Sequence, residues 1–81
     1  MTSERIYEEL TEILDDVFGE DDLVATPELT AGDVPGWDSM AHLRVIFAVE
    51  RRFGVKFSAS QIDGLANVGE LASLIESKLA Q

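Results

Sequence analysis

No cysteine occurs in these 81 residues. Disulfides and thiolate metal sites are therefore excluded, and no side chain supplies a thiol. Bases are scarce: six Lys and Arg stand against sixteen Asp and Glu, for a net charge of −10. Such a field repels polyanions, so nucleic acid is not expected as a partner. No apolar run reaches 18 residues, which rules out a membrane-spanning helix by length. The opening Met1-Thr2-Ser3-Glu4-Arg5 lacks the basic start and apolar stretch of a secretory signal, so a cytoplasmic location is expected. Asp21-Asp22 is not followed by EF-hand spacing, and no metal site is expected.

What is present is helical. A chain of 81 residues is one domain, 1–81, with little core to spare. Ile6, Leu10, Ile13, Leu14 and Val17 recur at three- and four-residue spacing and predict helix I over about Glu4 to Phe18. Ser3 is its expected N-cap and Gly19 its stop. A long connection over about Glu20 to Trp37 carries Pro27, Gly32, Pro35 and Gly36. Leu23, Val24 and Leu29 are expected to pin it to the core. Helix II is expected from Ser39 to Phe53, capped by Asp38 and stopped by Gly54. Ser58 to Gln61 reads as a capping box for a short helix III ending near Gly64. Asn67 and Glu70 form a similar pair before helix IV, which runs to about Leu79 with Val68, Leu71, Ala72, Ile75 and Leu79 on one stripe. The expected class is all-α: a small four-helix bundle of three main helices, a short helix III and a long first loop.

Ser39 stands at the start of helix II, in Val34-Pro35-Gly36-Trp37-Asp38-Ser39-Met40. A helix N-terminus has unpaired N–H groups and partial positive charge, which favour a phosphate. A serine in that place is often only a cap, but Asp38 is the better cap and leaves the Ser39 hydroxyl free. Here the chain resembles the acyl carrier protein family, in which the serine of an Asp-Ser-Leu motif bears a 4'-phosphopantetheine arm. Asp38-Ser39-Met40 matches with Met in place of Leu, and the resemblance extends from about Ile6 to Leu79. It implies a carrier that is not an enzyme, that holds acyl groups as thioesters on an arm at Ser39, and that has the same helix order. It also implies partners: a phosphopantetheinyl transferase, and acyl-loading and acyl-processing enzymes such as a ligase, acyltransferase or ketosynthase. In the family, the acid equivalent to Asp38 lies beside the Mg²⁺ and coenzyme A that the transferase uses. A free-standing monomer is expected at this length.

Helix II has more apolar residues than one core stripe uses. At about 100° per residue, Val45, Ile46, Val49 and Phe53 share one side. Met40, Leu43 and Phe47 lie nearly opposite, with Arg44 and Arg51 beside them. An apolar ridge rimmed by charge marks an interaction site, unless helix II is buried all round. In the carrier family these positions, with Asp38, meet the enzymes that load and unload the arm. His42 falls on the core side, half-buried near the bundle end, with a contact to the arm's phosphate left open. A Ser39–His42 pair with no orienting third residue is a poor hydrolase site. Trp37 is expected to seat the loop on the core.

The chain also departs from the family's common patterns. Many fatty acid synthase carriers have an acidic helix II, whereas this one has His42, Arg44, Arg51 and Arg52 against Glu50 alone. Peptidyl carriers commonly show Gly-Gly-His-Ser or Gly-Gly-Asp-Ser, and Gly36-Trp37-Asp38-Ser39 lies between the two types. A specialised polyketide or modified fatty acid pathway is the reading these residues favour. A carrier of aminoacyl groups, or an unmodified adaptor binding proteins through helix II, are the alternatives.

The charge is lopsided. Residues 1–38 hold twelve acids and one base, a net of −11, while residues 39–81 hold four acids and five bases, a net of +1. Self-repulsion in the first half should weaken the fold at low ionic strength. Added NaCl or Mg²⁺ is therefore expected to raise the melting temperature at neutral pH. Calorimetry across a salt series checks this, and a temperature indifferent to salt would count against it.

Overall fold

The computed structural model describes residues 2–80. Four α-helices follow in order: α1 Ser3–Phe18, α2 Ser39–Phe53, α3 Ala59–Asp63 and α4 Val68–Leu79, with a single 3-10 turn at Ala31–Asp33 inside the first loop. No strand occurs among the described residues. The expected helix order stands, but the 3-10 turn has too little periodicity to be seen in a sequence. It is held by Thr30 and Asp33, whose side chain accepts from the Thr30 N–H at 3.0 Å.

Helix α1 packs on both α2 and α4. Its buried stripe, Ile6, Leu10, Ile13 and Leu14, meets Val45, Ile46, Val49 and Phe53 of α2 and Leu71, Ala72 and Ile75 of α4. Each large aliphatic side chain taken from water there contributes about 1.5–3 kcal/mol, so this stripe dominates the stability. The N-cap of α1 is Thr2 rather than Ser3: the Thr2 hydroxyl accepts from the Arg5 N–H at 3.2 Å. Ser3 is the first helical residue, and its hydroxyl donates to Glu76 of α4 at 3.2 Å. Helices α1 and α2 stop at Gly19 and Gly54, both left-handed at φ 66° and 69°.

The long loop is tied down by its own backbone. Leu23 N–H donates to Asp15 at 3.1 Å and Ala25 N–H to the Thr11 hydroxyl at 2.9 Å, both on α1. Further on, Val68 N–H donates to the Leu29 carbonyl at 2.8 Å and Gly69 N–H to the Pro27 carbonyl at 3.0 Å, joining the loop to the start of α4. A Cβ on residue 69 would lie 2.9 Å from the Pro27 oxygen, so only glycine admits this approach. Leu23 and Leu29 pack on the core as expected, but Val24 is 63% exposed and Ala25 is buried in its place. Burial alternates along this stretch: Leu23 is half-buried, Val24 exposed, Ala25 buried and Thr26 exposed. Val34 is the other buried residue of the loop.

The later caps are local. Ser58 and Gln61 form the reciprocal box, with Gln61 N–H to Ser58 at 3.2 Å and Ser58 N–H to Gln61 at 2.9 Å. Asn67 caps α4 through Glu70 N–H at 2.8 Å, but the Glu70 carboxylate reaches back to Ala66 N–H at 2.8 Å rather than to Asn67. Burial, reinforced by Glu28 and Glu76, pushes the Tyr7 phenol up.

Arg52 leaves the outer face of α2 and turns to α1. It donates to Glu9 at 2.9 Å and to Glu12 at 3.4 Å. The hydrogen bond from Arg52 holds the Glu9 carboxyl below the ordinary glutamate range. A lowered folded pKa means stability that is present above the unfolded value, about 4.3, and lost as pH falls through the folded one. Arg52→Gln is therefore expected to melt below wild type at neutral pH, with the gap closing below about pH 4. Melting curves from pH 7 to 3 check this; a gap independent of pH would show that the pair is not its source.

Candidate functional site

The site begins with a cap. Asp38 is extended, at φ −104° and ψ −170°, and its carboxylate accepts from Ala41 N–H at 2.9 Å. The chain reaches it through a tight turn in which Trp37 N–H donates to the Val34 carbonyl at 3.1 Å and Asp38 N–H to the Gly36 carbonyl at 3.0 Å. With Asp38 committed to the cap, Ser39 is the first residue of α2 and is exposed. Its side chain makes no hydrogen bond among the described residues. The hydroxyl is thus presented to solvent at the positive end of a 15-residue helix.

Beside it runs an open groove of about 520 Å³ between the start of α2 and α3. Leu43 of α2 and Ile62 and Leu65 at α3 supply apolar wall, while Asp38 and Asp63 stand at its margin. The sequence did not show that Ile62, Asp63 and Leu65 belong to the site. The only signal is the three-residue spacing of Ile62 and Leu65, which a helix this short shares with any core element.

A second feature is visible only in three dimensions. Trp37 Nε1–H donates to His42 Nδ1 at 3.2 Å, and His42 Nε2 meets the Ile62 carbonyl at 3.2 Å. Because Nδ1 accepts, the proton of the neutral ring lies on Nε2 and is donated to Ile62. One imidazole therefore joins the loop, α2 and α3, and Phe18 packs against Trp37 at a centroid distance of 5.4 Å with the rings tilted by 41°. Trp37 seats the loop, as expected. Both ring nitrogens of His42 are engaged, which leaves none free to act as a base on Ser39 or to hold a phosphate.

The residues of the expected partner face divide into two groups. Leu43 lines the groove with Asp38 and Ser39. Met40, Arg44, Phe47 and Arg51 follow one another at four-, three- and four-residue steps along the outward side of α2. Met40 is 66%, Leu43 40% and Phe47 54% exposed, whereas Val45, Ile46 and Val49 are fully buried. Helix α2 is therefore not buried all round.

The residues fit a phosphopantetheine group. The requirements are an accessible hydroxyl with no competing protein partner, a helix N-terminus for its phosphate and an adjoining partly apolar groove, and Ser39 and its neighbours provide each. Comparison with known proteins agrees with this reading. Residues 8–75 match the family model for the phosphopantetheine attachment site. The acyl carrier protein of Thermotoga maritima is 30% identical over 76 residues, spanning 94% of each chain. The meromycolate extension acyl carrier protein of Mycolicibacterium smegmatis is 31% identical over 75 residues, covering 93% of this chain and 76% of that one. The solution structure of holo acyl carrier protein from Geobacter metallireducens superposes with a TM-score of 0.87 at 39% identity, covering 93% of this chain and 86% of that one.

The imidazole bridge has a measurable consequence. His42→Ala strands the Trp37 N–H and the Ile62 carbonyl, at a cost of about 1–3 kcal/mol for two part-buried bonds. The variant is expected to melt lower, to exchange its α3 amides faster, and to shift the emission of Trp37, the sole tryptophan, to the red. Unchanged α3 exchange and Trp37 emission would mean that packing alone holds this corner.

Proposed function

This chain belongs to the acyl carrier protein family, and from that premise we propose that Ser39 is the residue that bears the 4'-phosphopantetheine arm. The carrier role is the family's own: such a protein holds acyl groups for biosynthetic enzymes and has no catalytic activity itself. The observation that carries the assignment to Ser39 is its exposed, unpartnered hydroxyl immediately after a capping carboxylate. When bound, the group supplies the thiol that this cysteine-free chain lacks.

The geometry supports the following roles for the chain's residues. Asp38 fixes the first turn of α2 and so fixes where the Ser39 oxygen stands. The free N–H groups of that turn favour the negative phosphodiester that modification creates. Leu43, Ile62 and Leu65 offer an apolar wall along which an arm and its cargo lie out of water. Tethering raises the effective concentration of the cargo at each partner without diffusion of a free intermediate.

Cargo and pathway are read from two further features. The relatives are acyl carriers, which favours acyl over aminoacyl cargo. The arginines left on the outer side of α2 favour a specialised biosynthetic route over general fatty acid synthesis. One relative is itself a carrier of meromycolate extension. Asp38, Met40, Leu43, Arg44, Phe47 and Arg51 are the residues proposed to meet partners, among them a phosphopantetheinyl transferase.

Incubation with coenzyme A, Mg²⁺ and a broad-specificity phosphopantetheinyl transferase tests the attachment. Wild type is expected to gain the mass of one phosphopantetheinyl group, and Ser39→Ala to keep its helical circular dichroism and gain nothing. A loaded Ala variant, or a wild type that never loads, sinks the assignment and returns the chain to the unmodified adaptor reading.

A further inference from the structure

We propose that the outward row of α2 docks enzymes whose carrier-binding surface is an apolar patch rimmed by carboxylates. The inference rests on the carrier reading above and names the partner's chemistry. Met40 and Phe47 are the most exposed large hydrophobic residues of α2, and they alternate along one line with Arg44 and Arg51. Large apolar side chains interleaved with guanidinium groups are what interfaces are enriched in.

The structure sharpens the sign of this face beyond the composition of the helix. Glu50, the one acid of α2, is half-buried and turned away: its carboxylate accepts from Phe57 N–H at 2.8 Å. Arg52 is consumed by Glu9 and Glu12. Arg5, the only base of the first 38 residues, lies against Glu8 and Glu9. Arg44 and Arg51 are exposed and make no ion pair among the described residues. Asp16 shares a shallow notch with Arg51 and Arg52 yet pairs with neither. The outward row thus has two unspent positive charges and no carboxylate on it.

The overall charge of −10 opposes an acidic partner at long range. Distance decides between the two effects. At physiological salt the Debye length is about 8 Å, so the acids on α1 and the first loop are screened while groups in contact across the docked face are not. The local sign of α2 therefore governs the bound state, and it also penalises a partner whose rim is basic, since like charges suppress wrong pairings.

A charge-swap cycle tests this. One partner is a ketosynthase with Lys and Arg around its carrier-binding patch, and the other is the same enzyme with those bases replaced by Glu. The carriers are wild type and R44E/R51E. Binding is measured on the unmodified proteins at about 0.15 M and 1 M salt, where the Debye lengths are about 8 and 3 Å. Wild type is expected to prefer the acidic partner by roughly tenfold at the lower salt, R44E/R51E to prefer the basic one, and both preferences to shrink at the higher salt. Loss of binding by M40A/F47A to either partner is expected as well. Equal service of both partners by wild type, or a preference that the double reversal leaves unchanged, overturns the proposal. So does a concentration-dependent dimer that hides Met40 and Phe47, seen by sedimentation. Because binding is measured on the unmodified proteins, failure of Ser39 to load would be seen by mass alone and would leave this result readable.

Discussion

The burial of Val45, Ile46 and Val49 against α1 and α4 fixes the rotation of α2 about its axis, and with it the direction of every other residue on that helix. A helix turned by one residue step, about 100°, would drive Phe47 into the place of Ile46 or Arg44 into that of Val45 and lose several kcal/mol of burial. The rotation that satisfies the core leaves Met40, Arg44, Phe47 and Arg51 outward. Asp38 supplies the complementary constraint along the axis. Its cap on Ala41 sets where the helix begins, so Ser39 is placed by two independent restraints, one apolar and one polar.

Charge is organised around the same helix. Helix α1 and the first loop collect most of the acids, and α2 meets them on its flank with Arg52 alone. One arginine ties the two helices, while the other two stay outside. The division has a geometric origin. Arg52 lies next to Val45 on the wheel, near the seam with α1, whereas Arg44 and Arg51 lie about 80–100° further round, toward solvent.

Much of this was legible in the residue order. The period of α2 gave both its buried stripe and its outward ridge, because a strongly biased helix has only one rotation that fits. Gly19, Gly54, Asp38 and the Ser58–Gln61 box act within a few residues, and they stand where local chemistry puts them. What escaped was non-local or had two equivalent donors. Thr2 and Ser3 are equivalent as caps by residue type, and the contact of Ser3 with Glu76, 73 residues away, is not visible in a sequence. Val24 and Ala25 cannot be ranked by hydrophobicity, since burial along the loop alternates with position. The Trp37–His42–Ile62 bridge spans a loop and two helices, and no periodicity describes it. At the candidate site, Asp38 as cap and Ser39 as first helical residue could be read directly, but the α3 wall of the groove depends on how the last third of the chain folds back.

The two bonds from the loop to the start of α4 set an order of events during synthesis. Pro27 and Leu29 leave a ribosome well before Val68 and Gly69, whose N–H groups they must receive. Until then the loop is held to α1 by the Leu23 and Ala25 bonds alone, and α1 lacks one of its two neighbours. The segment around Ser39 therefore emerges on a half-built scaffold, before α3 brings Ile62 and Leu65 to its groove and α4 closes the bundle. A chain cut before α3 would display the serine without the groove that accompanies it in the finished fold.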